Sequence, residues 1–167
     1  ELVEFCEMAP GVGITYDTGN SFPVAESPNQ FTKTVAPYIR HLQLKDYRVQ
    51  FTNEGFRLVR CTIGEGTVPF DELLEEIGKH QNQLTAVLEP GALEARHVKL
   101  FREDWWQGYP AKSAAELAEC LLATQKNPLA DIEDYRTPWE KNEDSKLVDY
   151  ELQMYRKSFA NMKKLGM

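Results

Sequence analysis

One stretch, Ile39-Arg-His-Leu-Gln-Leu-Lys-Asp46, alternates polar and apolar residues from His41 to Lys45 and ends on two charges. A period of two is typical of a β-strand. Two further strand-like runs, Val12-Gly-Ile-Thr-Tyr-Asp-Thr-Gly-Asn20 and Leu84-Thr-Ala-Val-Leu-Glu-Pro-Gly91, also carry an acidic residue near their ends. Helix-like stretches separate the three runs. The order strand, helix, strand, helix, strand predicts parallel strands covered by helices.

Strand alternation also predicts the direction of each side chain. His41, Gln43 and Lys45 should face one side of the sheet, and Leu42 and Leu44 should face the other. The polar side is then the side on which chemistry is expected, because reactive groups collect at the carboxyl ends of parallel strands.

Each of the three predicted strands places one oxygen-bearing side chain at the carboxyl edge of the sheet: Asp17, Gln43 and Glu89. Carboxylate and amide oxygens suit a hard cation such as Mg²⁺ or Mn²⁺, whereas an added imidazole would favour Zn²⁺. Lys45 is a cation on the same side, where it could hold a carboxylate, a phosphate or a developing enolate.

Composition narrows the class of protein. The chain has 167 residues, 42% of them hydrophobic, which is enough for one sizeable core. It shows neither a membrane-spanning apolar run nor a signal-peptide pattern, and its 3 cysteines are widely spaced, so we expect a cytoplasmic location. Acidic residues outnumber basic ones by 26 to 19, which argues against binding to nucleic acid.

Outside the three predicted strands the chain is expected to be less regular. We expect a polar excursion from Tyr47 to Gly66, a helix capped at Ser113, and a loop followed by a helix from about Asp144. Apolar residues recur at helical spacing along this last helix: Val148, Leu152, Tyr155, Phe159 and Met162. The stripe could form a seam with a partner, but a stripe this short is expected to pack on the same domain. These features predict a domain over residues 1–126, with 127–167 as a loop and helix docked on it.

Four motifs in order carry a family resemblance. They are Asp17-Thr-Gly-Asn20, His41-Leu-Gln-Leu-Lys-Asp46, Gly64-Glu-Gly66 and a late strand that ends at Glu89. Together they resemble the xylose isomerase-like TIM barrels, which include sugar phosphate isomerases and epimerases. The resemblance covers roughly Val12 to Gly91. It implies an α/β fold in which this chain is the C-terminal portion of a (β/α)8 barrel, strands six to eight, with a helical extension.

The resemblance also implies roles for single residues. Asp17 and Glu89 match two of the family's four metal ligands, and Glu89 matches one of two glutamates that exchange a proton with the substrate. Gln43 stands where the family usually has a metal-binding His, which favours Mn²⁺ or Mg²⁺ over Zn²⁺. Lys45 is the second catalytic candidate. The residues predicted to contact substrate are Asn20, His41, Lys45, Arg48, Arg60 and Glu65.

The expected activity is therefore that of a divalent-metal-dependent sugar isomerase or epimerase, which abstracts a proton beside a carbonyl of a sugar or sugar acid through an enediolate. A lyase, either a dehydratase or a decarboxylase, acting on a keto sugar acid is the first alternative. A non-catalytic or incomplete barrel is the second. An endonuclease IV-like DNA repair enzyme fits poorly, because the chain has 3 scattered histidines and a net charge of −7.

A complete barrel of this type takes about 250 residues. The resemblance places Glu1 inside the helix before strand six, so the fifth strand, with the fourth ligand and the second glutamate, is expected outside this sequence. We therefore expect a fragment that binds a small sugar or sugar acid and forms a homo-oligomer or associates with the missing barrel half.

Overall fold

The computed structural model describes residues 1–130 and 133–166. The predictions made for Asp131 and Ile132, in the C-terminal loop, and for Met167 lie outside the described residues.

A parallel sheet forms the centre of the fold. It contains β1 (Ile14–Asp17), β2 (Ile39–Leu44) and β5 (Thr85–Leu88) in the order β1-β2-β5. Both pairings are parallel, and Asp17 lies opposite Gln43 in the register of β1 and β2. The predicted α/β class is confirmed. Within the described ranges these three strands form an open sheet and do not close into a barrel.

Helices cover one face of this sheet, namely α1 (Leu2–Met8), α2 (Pro28–Val35) and α3 (Phe70–Gly78). The start of α2 is set by Ser27, whose Oγ accepts a hydrogen bond from the backbone N–H of Gln30 at 3.2 Å. Acidic residues in the first turn of α3 complement its dipole.

The covered face carries the apolar half of the strand alternation. Leu42 and Leu44 are 3% and 0% exposed, and they belong to the same core as Leu73 and Ile77 of α3. On the opposite face, Val87 is 49% exposed. The predicted division of side chains between the two faces of the sheet is therefore confirmed.

The polar excursion predicted after β2 forms a second sheet that was not predicted. The segment forms β3 (Tyr47–Thr52) and β4 (Gly55–Arg60), which pair antiparallel, and β6 (Arg96–Val98) adds a third strand beside β4. Buried Val49 and Leu58 hold this second sheet on the core. Charged residues on its other positions hid the alternation in the sequence.

Asp46, two residues after the end of β2, anchors the loop that follows β4. Its side chain is buried, and its carboxylate accepts four backbone N–H groups. Oδ1 binds Tyr47 at 2.8 Å and Val68 at 3.1 Å, and Oδ2 binds Gly64 and Gly66, both at 2.9 Å. A Cβ at Gly66 would collide with this carboxylate. Burial raises the pKa of Asp46 to about 6, although the four N–H groups oppose the shift.

The C-terminal part of the chain contains α4 (Ala114–Ala123) and α5 (Asp144–Lys164). Ser113 caps α4 as predicted, since its Oγ accepts from the backbone N–H of Glu116 at 3.1 Å. No helix in residues 1–130 and 133–166 combines the length and apolarity that a membrane crossing requires.

Helix α5 contacts two loops of the parallel-sheet domain. Ser158 Oγ accepts from Ile63 N–H at 3.1 Å, and Asn161 donates to the Ile63 carbonyl at 3.0 Å. Glu151 accepts from the backbone N–H of Ala92 at 3.1 Å. The helix thereby holds the loop after β4 and the loop after β5.

The predicted packing of the apolar stripe on α5 is wrong for four of its five residues. Val148, Leu152, Tyr155 and Phe159 are all exposed, whereas Met162 packs against the core. The helix turns a different face inward, with Met154 and Ser158 buried. The hydrogen bonds from this face to the two loops set its rotation.

Replacing Asp46 by Asn tests its anchoring role. An amide has one oxygen, so at least one pair of the four backbone donors loses its acceptor. Each buried unsatisfied group costs about 1–3 kcal/mol, so we expect Asp46→Asn to lower the free energy of unfolding by about 2–4 kcal/mol in urea titration. Asp149→Asn, on the exposed surface of α5, is the matched control. Equal stabilities of the two variants would contradict the anchoring role.

A candidate active site at the carboxyl ends of the parallel strands

The ends of β1, β2 and β5 bring three charged side chains together. Lys45 Nζ lies 2.6 Å from Asp17 Oδ2 and 2.9 Å from Glu89 Oε2. The side chains of Lys45 and Asp17 are each 8% exposed, and that of Glu89 is 32% exposed. One ammonium thus bridges two carboxylates that approach from either side of β2.

Local hydrogen bonds fix the ends of β1 and β2 against each other. Thr18 Oγ1 donates to the Lys45 carbonyl at 2.8 Å and accepts from the Lys45 N–H at 2.9 Å. The backbone N–H of Gly19 donates to Asp17 Oδ1 at 3.0 Å. Gly19 is required here, because a Cβ would lie 2.6 Å from the ring of Tyr47. The carboxylate of Asp17 is therefore positioned by backbone groups as well as by Lys45.

Glu89 is held by side chains from both sheets. Arg60 of β4 binds Glu89 Oε1 through Nη2 at 2.8 Å and the Glu89 carbonyl through Nη1 at 3.0 Å. The amide nitrogen of Gln43 donates to Glu89 Oε2, which Lys45 also contacts. Glu89 thus receives hydrogen bonds from three donors and has a fixed orientation.

Electrostatic interactions keep Glu89 and Lys45 charged. Burial alone would raise the pKa of Glu89, but the hydrogen bonds from Lys45 and Arg60 outweigh it and hold the pKa below its ordinary value. Burial alone would lower the pKa of Lys45, but its hydrogen bonds to Asp17 and Glu89 outweigh that effect and raise it. At neutral pH Glu89 is therefore an ionised carboxylate whose basicity its two cations suppress.

The side chains around Lys45 include oxygen donors of the kind that a hard divalent cation prefers. Asp17 and Glu89 converge on one point, and the Lys45 ammonium already places a positive charge there. Gln43 reaches the same carboxylate oxygen of Glu89, and a half-turn of its terminal amide exchanges nitrogen for oxygen. No cluster of three His, Cys, Asp or Glu side chains suited to a metal occurs in residues 1–130 and 133–166, so the third donor would be this amide.

The remaining predicted substrate contacts fall into two groups. Asn20 and Arg60 line a cavity beside Lys45. His41, Arg48 and Glu65 lie outside the cluster of charged residues around Lys45, and each of them has another local environment.

His41 lies one layer below Gln43, and its Nδ1 is 2.7 Å from the hydroxyl of Thr85. Arg48 forms an ion pair with Glu133 at 2.9 Å. Glu65 lies in the loop anchored by Asp46 and lines a separate cavity with Arg48. The structure therefore does not bring these three residues to Lys45.

Sequence reasoning missed two residues beside Lys45, namely Tyr47 and Arg96. Both line the cavity that Asn20 and Arg60 line. Tyr47 could have been found, because the alternation that places Lys45 on the site continues to the residue two positions later. Arg96 carries no such signal, since its strand is three residues long and pairs with distant β4.

Replacing Lys45 by Met tests whether the two carboxylates converge on a cation position. The variant leaves Asp17 and Glu89 without their shared ammonium, so we expect a loss of about 3–5 kcal/mol in unfolding free energy. Added Mn²⁺ should restore part of the thermal stability of Lys45→Met and do so more than in the unchanged chain. Lys79→Met, which removes an exposed ion pair with Glu76, is the control. A Lys45→Met variant that is indifferent to Mn²⁺ would contradict the convergence.

Comparison with known proteins gives one match. A family model described as xylose isomerase-like TIM barrel matches residues 1–121. No curated protein and no solved structure matches the chain. The matched range includes all three parallel strands and every residue of the cluster around Lys45, so this chain belongs to the xylose isomerase-like TIM barrel family.

Proposed function

We propose that this chain is part of a divalent-metal-dependent enzyme that moves a proton beside the carbonyl of a sugar or sugar acid, as a sugar isomerase or epimerase does. The observation that carries the proposal is the convergence of Asp17, Lys45 and Glu89 at the carboxyl ends of parallel strands. The family includes sugar isomerases and epimerases. Its fold places active sites at this end of the strands.

Glu89 is the proposed proton acceptor. While Lys45 and Arg60 contact it, its lowered pKa makes it a weak base. Transfer of Lys45 from Glu89 to the substrate oxygen would do two things at once. It would place a positive charge where the enediolate develops negative charge, and it would return basicity to Glu89.

Asp17, Gln43 and Glu89 are the proposed ligands for Mn²⁺ or Mg²⁺. When bound, such an ion would supply a Lewis acid that polarises the carbonyl and acidifies the neighbouring C–H bond. Glu89 Oε2 would contact the cation in place of Lys45, and Oε1, which pairs with Arg60 in the structure, would face the substrate. Asp17 keeps its backbone bond to Gly19 in either case, which preserves its orientation.

A second acidic group is needed to return the proton at another face or carbon. We propose that it comes from strands that complete the barrel, either in the same protein or in an associated chain. The polar face of the sheet is open, with Val87 49% exposed, and the outer edges of β1 and β5 are unpaired within the described residues. Unpaired edges favour association with further strands.

A lyase acting on a keto sugar acid is the second candidate. It would pass through the same kind of enolate, and the two cations beside Glu89, Lys45 and Arg60, suit a substrate that carries a carboxylate. The two candidates differ in whether the substrate loses water or CO₂.

Incorporation of solvent deuterium beside the carbonyl tests the proposed proton transfer. In the complete barrel with Mn²⁺, we expect exchange into a ketose or keto sugar acid, detected by mass spectrometry. Glu89→Gln should slow it by about 10²–10⁴-fold, the usual contribution of a general base. Glu75→Gln, on the exposed face of α3, should leave it unchanged. Full exchange in Glu89→Gln would exclude the assigned role, and loss of water or CO₂ from the substrate would favour the lyase.

A further inference from the structure

A small cavity opens directly beside the charged cluster. Its volume is about 190 Å³, enough for a small ligand group. Polar and charged side chains dominate its lining: Asn20, Lys45, Tyr47, Arg60, Glu94 and Arg96. Lys45 and Arg60 belong both to this cavity and to the candidate active site, so a molecule bound here lies against the reacting groups.

Two donors that line the cavity make no side-chain hydrogen bond within residues 1–130 and 133–166, namely Arg96 and Tyr47. Arg96 is exposed, so its guanidinium is open to an incoming ligand. Tyr47 is 5% exposed overall, but its hydroxyl is not sealed from solvent. A ligand with acceptor oxygens would bind both groups.

The charges around Tyr47 define the sign of that ligand. Burial raises the pKa of Tyr47, while the nearby positive charges of Lys45, Arg60 and Arg96 oppose the rise. Tyr47 is therefore a neutral donor at physiological pH, surrounded by three cations. The carboxylates of Asp17 and Glu89 neutralise Lys45 and Arg60 from the far side. Arg96 is the cation left to bind an incoming anion.

We propose that this cavity binds the carboxylate of a sugar acid, with Arg96 and Tyr47 as its specificity-determining contacts. The inference rests on the proposed function and names its substrate class: a 2-keto or 2-hydroxy sugar acid rather than a neutral sugar. Arg96 supplies a planar fork that matches a carboxylate, and Tyr47 supplies one further O–H donor.

The position of the cavity favours a carboxylate over a terminal phosphate. Because Lys45 lines the cavity and contacts Glu89, an anion bound here lies beside the proposed proton acceptor. A carboxyl group next to the carbonyl of a keto acid suits this proximity, whereas the phosphate of a sugar phosphate is several carbons away from the carbonyl. Glu94 also lines the cavity, and its negative charge penalises a dianion more than a monoanion.

Binding of two matched six-carbon probes to the full chain tests this proposal. D-gluconate carries the carboxylate, and D-glucitol replaces it by a neutral alcohol. By titration calorimetry, gluconate should bind at least about tenfold more tightly than glucitol. Arg96→Gln should weaken gluconate binding about tenfold, and Tyr47→Phe should weaken it severalfold. Neither substitution should change glucitol binding.

Two further variants control for charge and for folding. Arg102→Gln removes a surface arginine that pairs with Glu54 and Asp104 outside the cavity, and it should bind gluconate like the unchanged chain. Arg96→Lys keeps the charge without the planar fork, and it should show an intermediate loss. Thermal unfolding of each variant establishes that it is folded before binding is compared.

Several results would overturn the proposal. These are equal affinity for gluconate and glucitol, unchanged gluconate binding in Arg96→Gln, or tighter, Arg96-dependent binding of inorganic phosphate. If solvent deuterium exchanges into a neutral ketose while gluconate and glucitol bind equally well, the carboxylate site is overturned and the proposed function still stands. If gluconate binding depends on Arg96 but no substrate exchanges deuterium, the proposed function is overturned and the carboxylate site still stands.

Discussion

Buried charge at the carboxyl ends of the parallel strands constrains the structure around it. Lys45 and Asp17 are almost fully buried, and the removal of an ion from water costs several kcal/mol unless a partner of opposite sign is held close. The parallel register supplies that partner, because it brings Asp17 of β1 beside the end of β2, with Glu89 on the other side. The convergence of acid and base groups that makes this region a candidate active site is therefore the same arrangement that neutralises its charges.

Asp46, the residue after Lys45, extends this constraint to the other side of the parallel sheet. Lys45 faces the open side of the sheet, and Asp46 turns away from it to hold the loop after β4 through four backbone N–H groups. Helix α5 contacts the same loop through Ser158 and the loop after β5 through Glu151. Two consecutive charged residues and one helix thus join the charged cluster around Lys45, the second sheet and the C-terminal extension. The described part of the extension therefore contacts the loops after β4 and β5, while Asp17, Lys45 and Glu89 come from the strand ends.

Much of the site follows from local pattern. Alternation along β2 and the acidic residues at the ends of β1 and β5 were enough to predict that Asp17, Lys45 and Glu89 share one edge of a parallel sheet. The second sheet was not predicted, because Arg48, Arg57 and Arg60 interrupt its apolar residues and make the segment read as a polar loop. Arg96 and the rotation of α5 depend on contacts between distant parts of the chain. Local spacing does not encode those contacts, and so the apolar stripe of α5 was assigned to the wrong side.

The central claim is that one ammonium links the strand ends into a single cluster, and a double-mutant cycle tests it most directly. Unfolding free energies of the unchanged chain, Asp17→Asn, Lys45→Met and the double variant would be measured in urea. Groups that share a buried ion pair should couple, so the account predicts an interaction free energy of about 1–3 kcal/mol between the two substitutions. Additivity within about 0.5 kcal/mol would show that Asp17 and Lys45 act independently, and it would contradict the account.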